Sequence, residues 1–220
     1  MDTETIRVYV VDDQALIRAA IKGLLAQRPA FEVVGSTGDP RKALEELEAL
    51  RPDVALLDIT MPGLSGLDLI PKIRKILPKT KIVMLTHHEG ETFVEQALQA
   101  GAEGYLSKSS DPAELALAIT AVHRGDPYVS PKVASGLVMG LRGRRGTEAP
   151  PQSRIATLTP REREVFQLLA LGKSNKEIAR ELAMSLGTAK KHRENLQRKL
   201  ECNSAAELAR LAIREGLLET

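Results

Sequence analysis

The side chains with most chemical capacity in this chain sit at the ends of short apolar runs. Asp12 and Asp13 close "VYVV", Asp58 closes "VALL", Thr86 closes "IVML", and Lys108 follows "GYLS". Three carboxylates meeting in one crevice repel one another, so their natural partner is a hard cation. Oxygen donors with few other protein ligands suit Mg²⁺, which keeps several waters and completes its shell with a phosphate. Taken singly, Asp12 or Asp13 serves equally well as a helix cap, Lys108 as a solvated loop lysine and Thr86 as a strand terminus. His87 and His88 read as exposed loop residues, because no third metal ligand accompanies them.

For these residues to meet, the runs that precede them must lie side by side. Apolar stretches near 6 to 11, 32 to 36, 53 to 57, 81 to 85 and 103 to 106 predict five strands, and the segments between them carry helical periodicity, clearest in Ile17, Ile21, Leu24 and Leu25. Such alternation implies a doubly wound α/β domain over residues 1 to 125, a parallel sheet with helices on both faces. Ligands of open parallel sheets bind beyond the carboxyl ends of the strands, which is where the acidic residues, Thr86 and Lys108 fall. A helix over 111 to 124 is expected to open on Asp111 as N-cap, Pro112 in the first turn and Glu114 as capping carboxylate.

Residues 126 to 157 hold Pro127, Pro131, Pro150, Pro151 and "GLRGRRGTEAPPQS", the composition of a linker, with a short helix through Val133 to Leu141 at its start. From 158 to 220 strand patterns vanish. Thr159 with Glu162, Ser174 with Glu177 and Ser204 with Glu207 read as capping boxes, and Ser185 as a further cap. They divide the segment into four helices, roughly 160 to 171, 175 to 182, 186 to 200 and 204 to 215. Only Ala183, Met184 and Ser185 join the second to the third, the spacing of a helix-turn-helix. In the third helix Ala189, Leu196 and Leu200 share an apolar face. Lys190, Lys191, Glu194, Asn195 and Arg198 share the other, where lysine can donate to guanine and glutamate can accept from cytosine. Each of these charges alone also fits a solvated helix face, and Glu194 with Arg198 a surface ion pair.

Charge agrees with this division. The net +2 of the 220 residues conceals 14 Lys+Arg against 18 Asp+Glu over residues 1 to 125, and 13 against 9 over 151 to 220. An acidic front and a basic tail suggest two tasks, the second involving nucleic acid. The single cysteine, Cys202, rules out an intramolecular disulfide. With neither a signal peptide nor a long apolar run in view, a soluble cytoplasmic protein with no membrane partner is expected.

"VVDD", "LLDITMPGLSG", "VMLT" and "GYLSK" together resemble the receiver domain of bacterial response regulators, through residues 6 to 124. The resemblance implies a flavodoxin-like five-stranded sheet in which Asp58 accepts a phosphoryl group from a histidine kinase. It also implies Mg²⁺ held by Asp13, Asp58 and the backbone carbonyl of Thr60, with Asp12 acting through water. Thr86 and Lys108 would bind phosphoryl oxygens, and Tyr105 would change rotamer as Thr86 moves. "LTPRE", "GKSNKEIA" and "RKL" in the tail resemble the LuxR-type helix-turn-helix of the NarL/FixJ class. That likeness implies Lys190, Lys191 and Glu194 as base readers on double-stranded DNA, with Lys176, Thr188 and Arg193 nearer the backbone, and a homodimer when phosphorylated.

Some positions depart from these patterns. His87 is bulkier than the small residue common after the threonine, Ser109 replaces a frequent proline, and Ala189 is smaller than usual, at a packing cost of about 1 kcal/mol. Glu194 is acidic where a groove-facing helix often carries Lys or Asn, which implies reduced nonspecific affinity. A phosphatase on a similar sheet is the rival in another class, but it would place a second aspartate at the position of Thr60. A tail that binds a protein partner in place of DNA is the other rival.

Overall fold

The computed structural model describes residues 5–61, 64–87, 91–135, 158–202 and 204–214. The chain separates into two compact units, Met1–Thr147 and Glu148–Thr220.

The first unit is built on β1 (Ile6–Val11), β2 (Phe31–Thr37), β3 (Val54–Leu57), β4 (Lys81–Thr86), β5 (Gly104–Ser107) and β6 (Tyr128–Val129). All pair in parallel, in the order β2-β1-β3-β4-β5-β6. Helices α1 (Ala15–Ala26), α2 (Pro40–Leu50), α3 (Gly66–Ile76), α4 (Glu91–Ala100) and α5 (Pro112–Arg124) alternate with the first five strands. The inner strands are apolar along their whole length because both faces are covered. Tyr9, Val11, Ala55, Leu57, Met84 and Tyr105 pack beneath α2, α3 and α4 through Leu47, Ile70, Ile73, Val94 and Ala97. Val8, Val10, Leu56, Val83 and Leu106 face the other way, onto Ile21, Leu25, Leu115, Ile119 and Val122 of α1 and α5. Alternate residues of one strand therefore fill two cores.

Two expectations are corrected here. The sheet has six strands, not five, because Tyr128 and Val129 pair with Gly104 and Tyr105. The segment read as linker from residue 126 thus begins inside the first unit, and helical backbone follows at 131–135 with Val133 fully buried. The rest of the short helix expected there lies outside the described residues. At the start of α5, Asp111 accepts from the Ala113 N–H at 2.7 Å as anticipated. Glu114 does not close the box: its Oε2 is buried without a hydrogen bond, and its charge raises the Tyr128 hydroxyl pKa beyond the rise that burial causes.

The second unit comprises α6 (Pro160–Ala170), α7 (Asn175–Glu181), α8 (Leu186–Leu200) and α9 (Ala205–Arg214). Each begins where its cap predicts. Thr159 and Glu162 bond reciprocally, as do Ser174 with Glu177 and Ser204 with Glu207, while Ser185 accepts from the Thr188 N–H at 3.0 Å. Val165, Phe166, Ile178, Ala189, Leu196, Leu200, Leu208 and Ala212 form its buried interior. The turn between α7 and α8 passes through Ala183 at φ 49°, a left-handed conformation unfavourable for a residue with a Cβ.

Candidate functional site

Strand order reverses between β1 and β3, and the acidic residues gather at the carboxyl ends of those two strands. The Asp12 N–H extends the ladder to Thr37 O at 3.1 Å, and the Asp58 N–H donates to Val11 O at 2.8 Å, so both backbones are fixed by the sheet. Asp12 Oδ1 accepts from the Gln14 N–H at 2.9 Å. Behind Asp58 the chain doubles back through Ser65, whose hydroxyl donates to Ile59 O at 3.0 Å, and Gly66, whose N–H donates to the same oxygen at 3.1 Å. A Cβ on Gly66 would sit 1.9 Å from Asp58 O, so only glycine permits this approach.

Asp12, Asp13 and Asp58 each offer an oxygen within 4.8 Å of the others; Asp12 and Asp58 are buried and Asp13 is exposed. Lys108 Nζ reaches across from the end of β5 to 2.8 Å from Asp58 Oδ2 and 2.9 Å from Asp12 Oδ2. Burial pushes the Asp58 carboxyl up to about 6 against the pull of Lys108, and the Asp12 charge adds to the rise. Burial alone would lower the Lys108 pKa, but the Asp58 and Asp12 carboxylates hold it above the usual value. One ammonium cannot neutralise three carboxylates. The carboxylate charge left over beyond Lys108 and the all-oxygen donor set fit a hard divalent cation.

Thr86 is fully buried at the tip of β4, in register with Ser107, and its carbonyl accepts the Lys108 N–H at 2.9 Å. Thr60, half-buried, lies two residues after the acid, and its backbone hydrogen bond opposes the rise in the Asp58 pKa. Tyr105 lies wholly inside the core among Met84, Val94 and Ala97. His87 is exposed, while His88 lies outside the described residues. Ser109 is joined by a trans peptide; its hydroxyl lies 2.7 Å from that of Ser107 and accepts from Lys132 Nζ at 2.7 Å.

On the second unit, Lys176, Thr188, Lys190, Lys191, Glu194 and Arg198 are exposed, and Arg193 is half-buried. The opposite face of α8 buries Ala189, Leu196 and Leu200 as predicted. Arg198 donates to Asn195 Oδ1 at 3.0 Å, a partner other than the Glu194 that helical spacing suggested. Arg193 reaches Asn175 Oδ1 at 3.5 Å and ties α8 to α7.

Two residues that support the acidic site carry no motif signal. Arg18 donates to the carbonyls of Asp12 and Asp13 at 2.6 and 3.0 Å. Gly38 leaves room for that guanidinium. In the second unit, Lys199 bonds Glu162 at 2.6 Å and links α8 to α6.

The response regulator receiver domain family matches residues 8–120, and the luxR family of bacterial regulatory proteins matches residues 156–212. The chain belongs to the NarL/FixJ class of response regulators. This response regulator is 37% identical over 213 residues to the transcriptional regulatory protein MctR of Rhizobium johnstonii, covering 97% of this chain and 95% of that one. It is 34% identical over 215 residues to the oxygen regulatory protein NreC of Staphylococcus carnosus, covering 97% and 99%. Among solved structures it resembles RcsB of Salmonella enterica serovar Typhimurium bound to promoter rprA in the presence of phosphomimetic BeF₃⁻. That likeness has 25% identity and a TM-score of 0.64, and it covers 94% of this chain and 98% of that one. The response regulator is thus a receiver joined to a LuxR-type DNA-binding domain and acts in transcription regulation. Among its described residues no helix is long and apolar enough to cross a membrane.

Proposed function

We propose that Asp58 accepts a phosphoryl group from a histidine kinase and that the acyl phosphate controls dimerisation and sequence-specific DNA binding. The observation that carries this reading is the buried Asp58 carboxylate with Lys108 Nζ 2.8 Å away and two further carboxylates beside it. An Asp58 oxygen attacks phosphorus, the phosphorus–nitrogen bond of the phosphohistidine breaks, and the imidazole leaves with a proton from solvent. Asp13, Asp58 and the Thr60 carbonyl would hold Mg²⁺ directly and Asp12 through water; when bound, the cation offsets phosphoryl charge. Lys108 stabilises one phosphoryl oxygen by charge, and Thr86 donates its hydroxyl to another. The larger and more negative group draws these two inward, biasing the surface of residues 90 to 108, with Tyr105 repacking as it follows.

In the second domain Lys190, Lys191 and Glu194 read base edges, while Lys176, Thr188, Arg193 and Arg198 contact the backbone of double-stranded DNA. The protein works in the cytoplasm as a regulator, not as an enzyme with turnover. In the test, the protein with Mg²⁺ and a phosphorylated kinase domain gains one acid-stable, hydroxylamine-labile phosphoryl by intact mass. Asp58→Asn gains none and keeps its fold. Persistent labelling of that variant overturns the assignment, and absence of DNA binding with or without a phosphoryl mimic favours a protein partner for the tail.

A further inference from the structure

The acidic turn is clamped from a side that the chemistry above does not use. Arg18, the fourth residue of α1, directs one guanidinium nitrogen to both Asp12 O at 2.6 Å and Asp13 O at 3.0 Å. The Asp12 N–H is already taken by Thr37 O and its Oδ1 by Gln14, so the arginine completes the restraint of the whole turn. Gly38, just past β2, lies against Arg18: a Cβ there would sit 2.8 Å from Nη1 and 3.4 Å from Cζ. Such a Cβ would force the guanidinium to shift from this seat.

We propose that Arg18 is a positioning residue for the divalent cation: it fixes the Asp12–Asp13 turn so that both carboxylates face the crevice. The inference rests on the Mg²⁺ reading above. It contains two opposing effects with different signs. As a bare positive charge near the site, Arg18 repels a dication, and its removal would tighten binding. As a clamp on the two carbonyls it preorganises the ligands, and its removal loosens them. Partners that orient metal ligands change affinity by about 10- to 100-fold when lost. The clamp therefore outweighs the repulsion, whose range passes through solvent beside exposed Asp13.

The experiment is calorimetric titration of the full chain with MgCl₂, run beside thermal unfolding and phosphoryl labelling. Arg18→Ala should weaken Mg²⁺ about tenfold, and Arg18→Lys, which keeps the charge and one donor, should recover part of the loss. Gly38→Ala leaves the arginine in place but fills its seat, so it should weaken Mg²⁺ in the same direction. It also decides the matter if Arg18→Ala does not fold. Unchanged or tighter Mg²⁺ binding in the folded variants overturns the proposal, even with a lowered unfolding midpoint, since that pattern marks a purely structural arginine. If the wild-type chain neither binds Mg²⁺ nor labels, the underlying phosphoryl reading fails instead.

Discussion

Gly66→Ala tests how the receiver holds Asp58, the proposed phosphoryl acceptor. The added Cβ would lie 1.9 Å from Asp58 O and 2.8 Å from Asp58 C, with Met84 Cε at 3.2 Å. Carbon–oxygen contacts settle near about 3.3 Å, so the two strands of chain must part by well over an ångström. Met84 can yield through its flexible thioether, but the Asp58 carbonyl is main chain, and its N–H is bound to Val11 O. Overpacking costs about 1 to 3 kcal/mol, and here the upper end applies because backbone must move. For a unit of this size that lowers the unfolding midpoint by roughly 10 °C. A misplacement of about 1 Å at a reacting group can cost about a hundredfold in rate. Labelling of Asp58 should slow by that order at a temperature where circular dichroism shows the variant folded. The second unit's unfolding should be untouched. Labelling at the wild-type rate, with or without a lowered midpoint, would refute the claim that Gly66 sets the position of Asp58.

Other outcomes follow from the second unit. Glu162→Gln should destabilise it by about 1.5 kcal/mol by weakening charge-assisted bonds to Lys199 and the Thr159 N–H, read by urea unfolding. Burial works to raise the Glu162 pKa, but those bonds hold it below its ordinary value. Its stabilisation is accordingly complete above the unfolded pKa and lost as pH falls through the lower folded one; a unit equally stable across that acid window would contradict this. Ala183→Gly should stabilise by about 0.5 to 1 kcal/mol, since φ 49° is costly only for a residue with a Cβ; a lower urea midpoint counts against that. Lys190→Ala should weaken DNA binding and relax preference at one base pair, as expected of a base-edge contact; uniform weakening across sequences with a salt slope lower by about one would instead place it on phosphate.

The sequence was most legible where local chemistry and global fold coincide. Asp12, Asp58, Thr86 and Lys108 could be placed because each ends a strand whose apolar run stands out. Thr159, Ser174, Ser185 and Ser204 could be placed because caps act within four residues. β6 was hidden: two residues between Pro127 and Pro131 give no period, and proline is tolerated in a sheet only at such an edge. Glu114 looked like a capping carboxylate because spacing alone cannot tell a reciprocal cap from a side chain turned toward Tyr128. Arg18 was illegible for another reason. Its partners are backbone carbonyls, which have no letter in a sequence, and a cation on a helix ordinarily reads as solvated.

The two-residue strand β6 also governs how the receiver meets other molecules. The Tyr128 N–H donates to Glu103 O and the Ser130 N–H to Tyr105 O, both at 3.0 Å, which occupies main-chain acceptors that β5 would otherwise offer at the margin of the sheet. Prolines on either side keep the added strand too short to template a further one. A receiver trimmed at residue 125 would lose this cover and present a bare, apolar margin to its neighbours. Self-association of such a fragment would then report strand pairing through β5, and would say nothing about the dimer proposed for the phosphorylated chain.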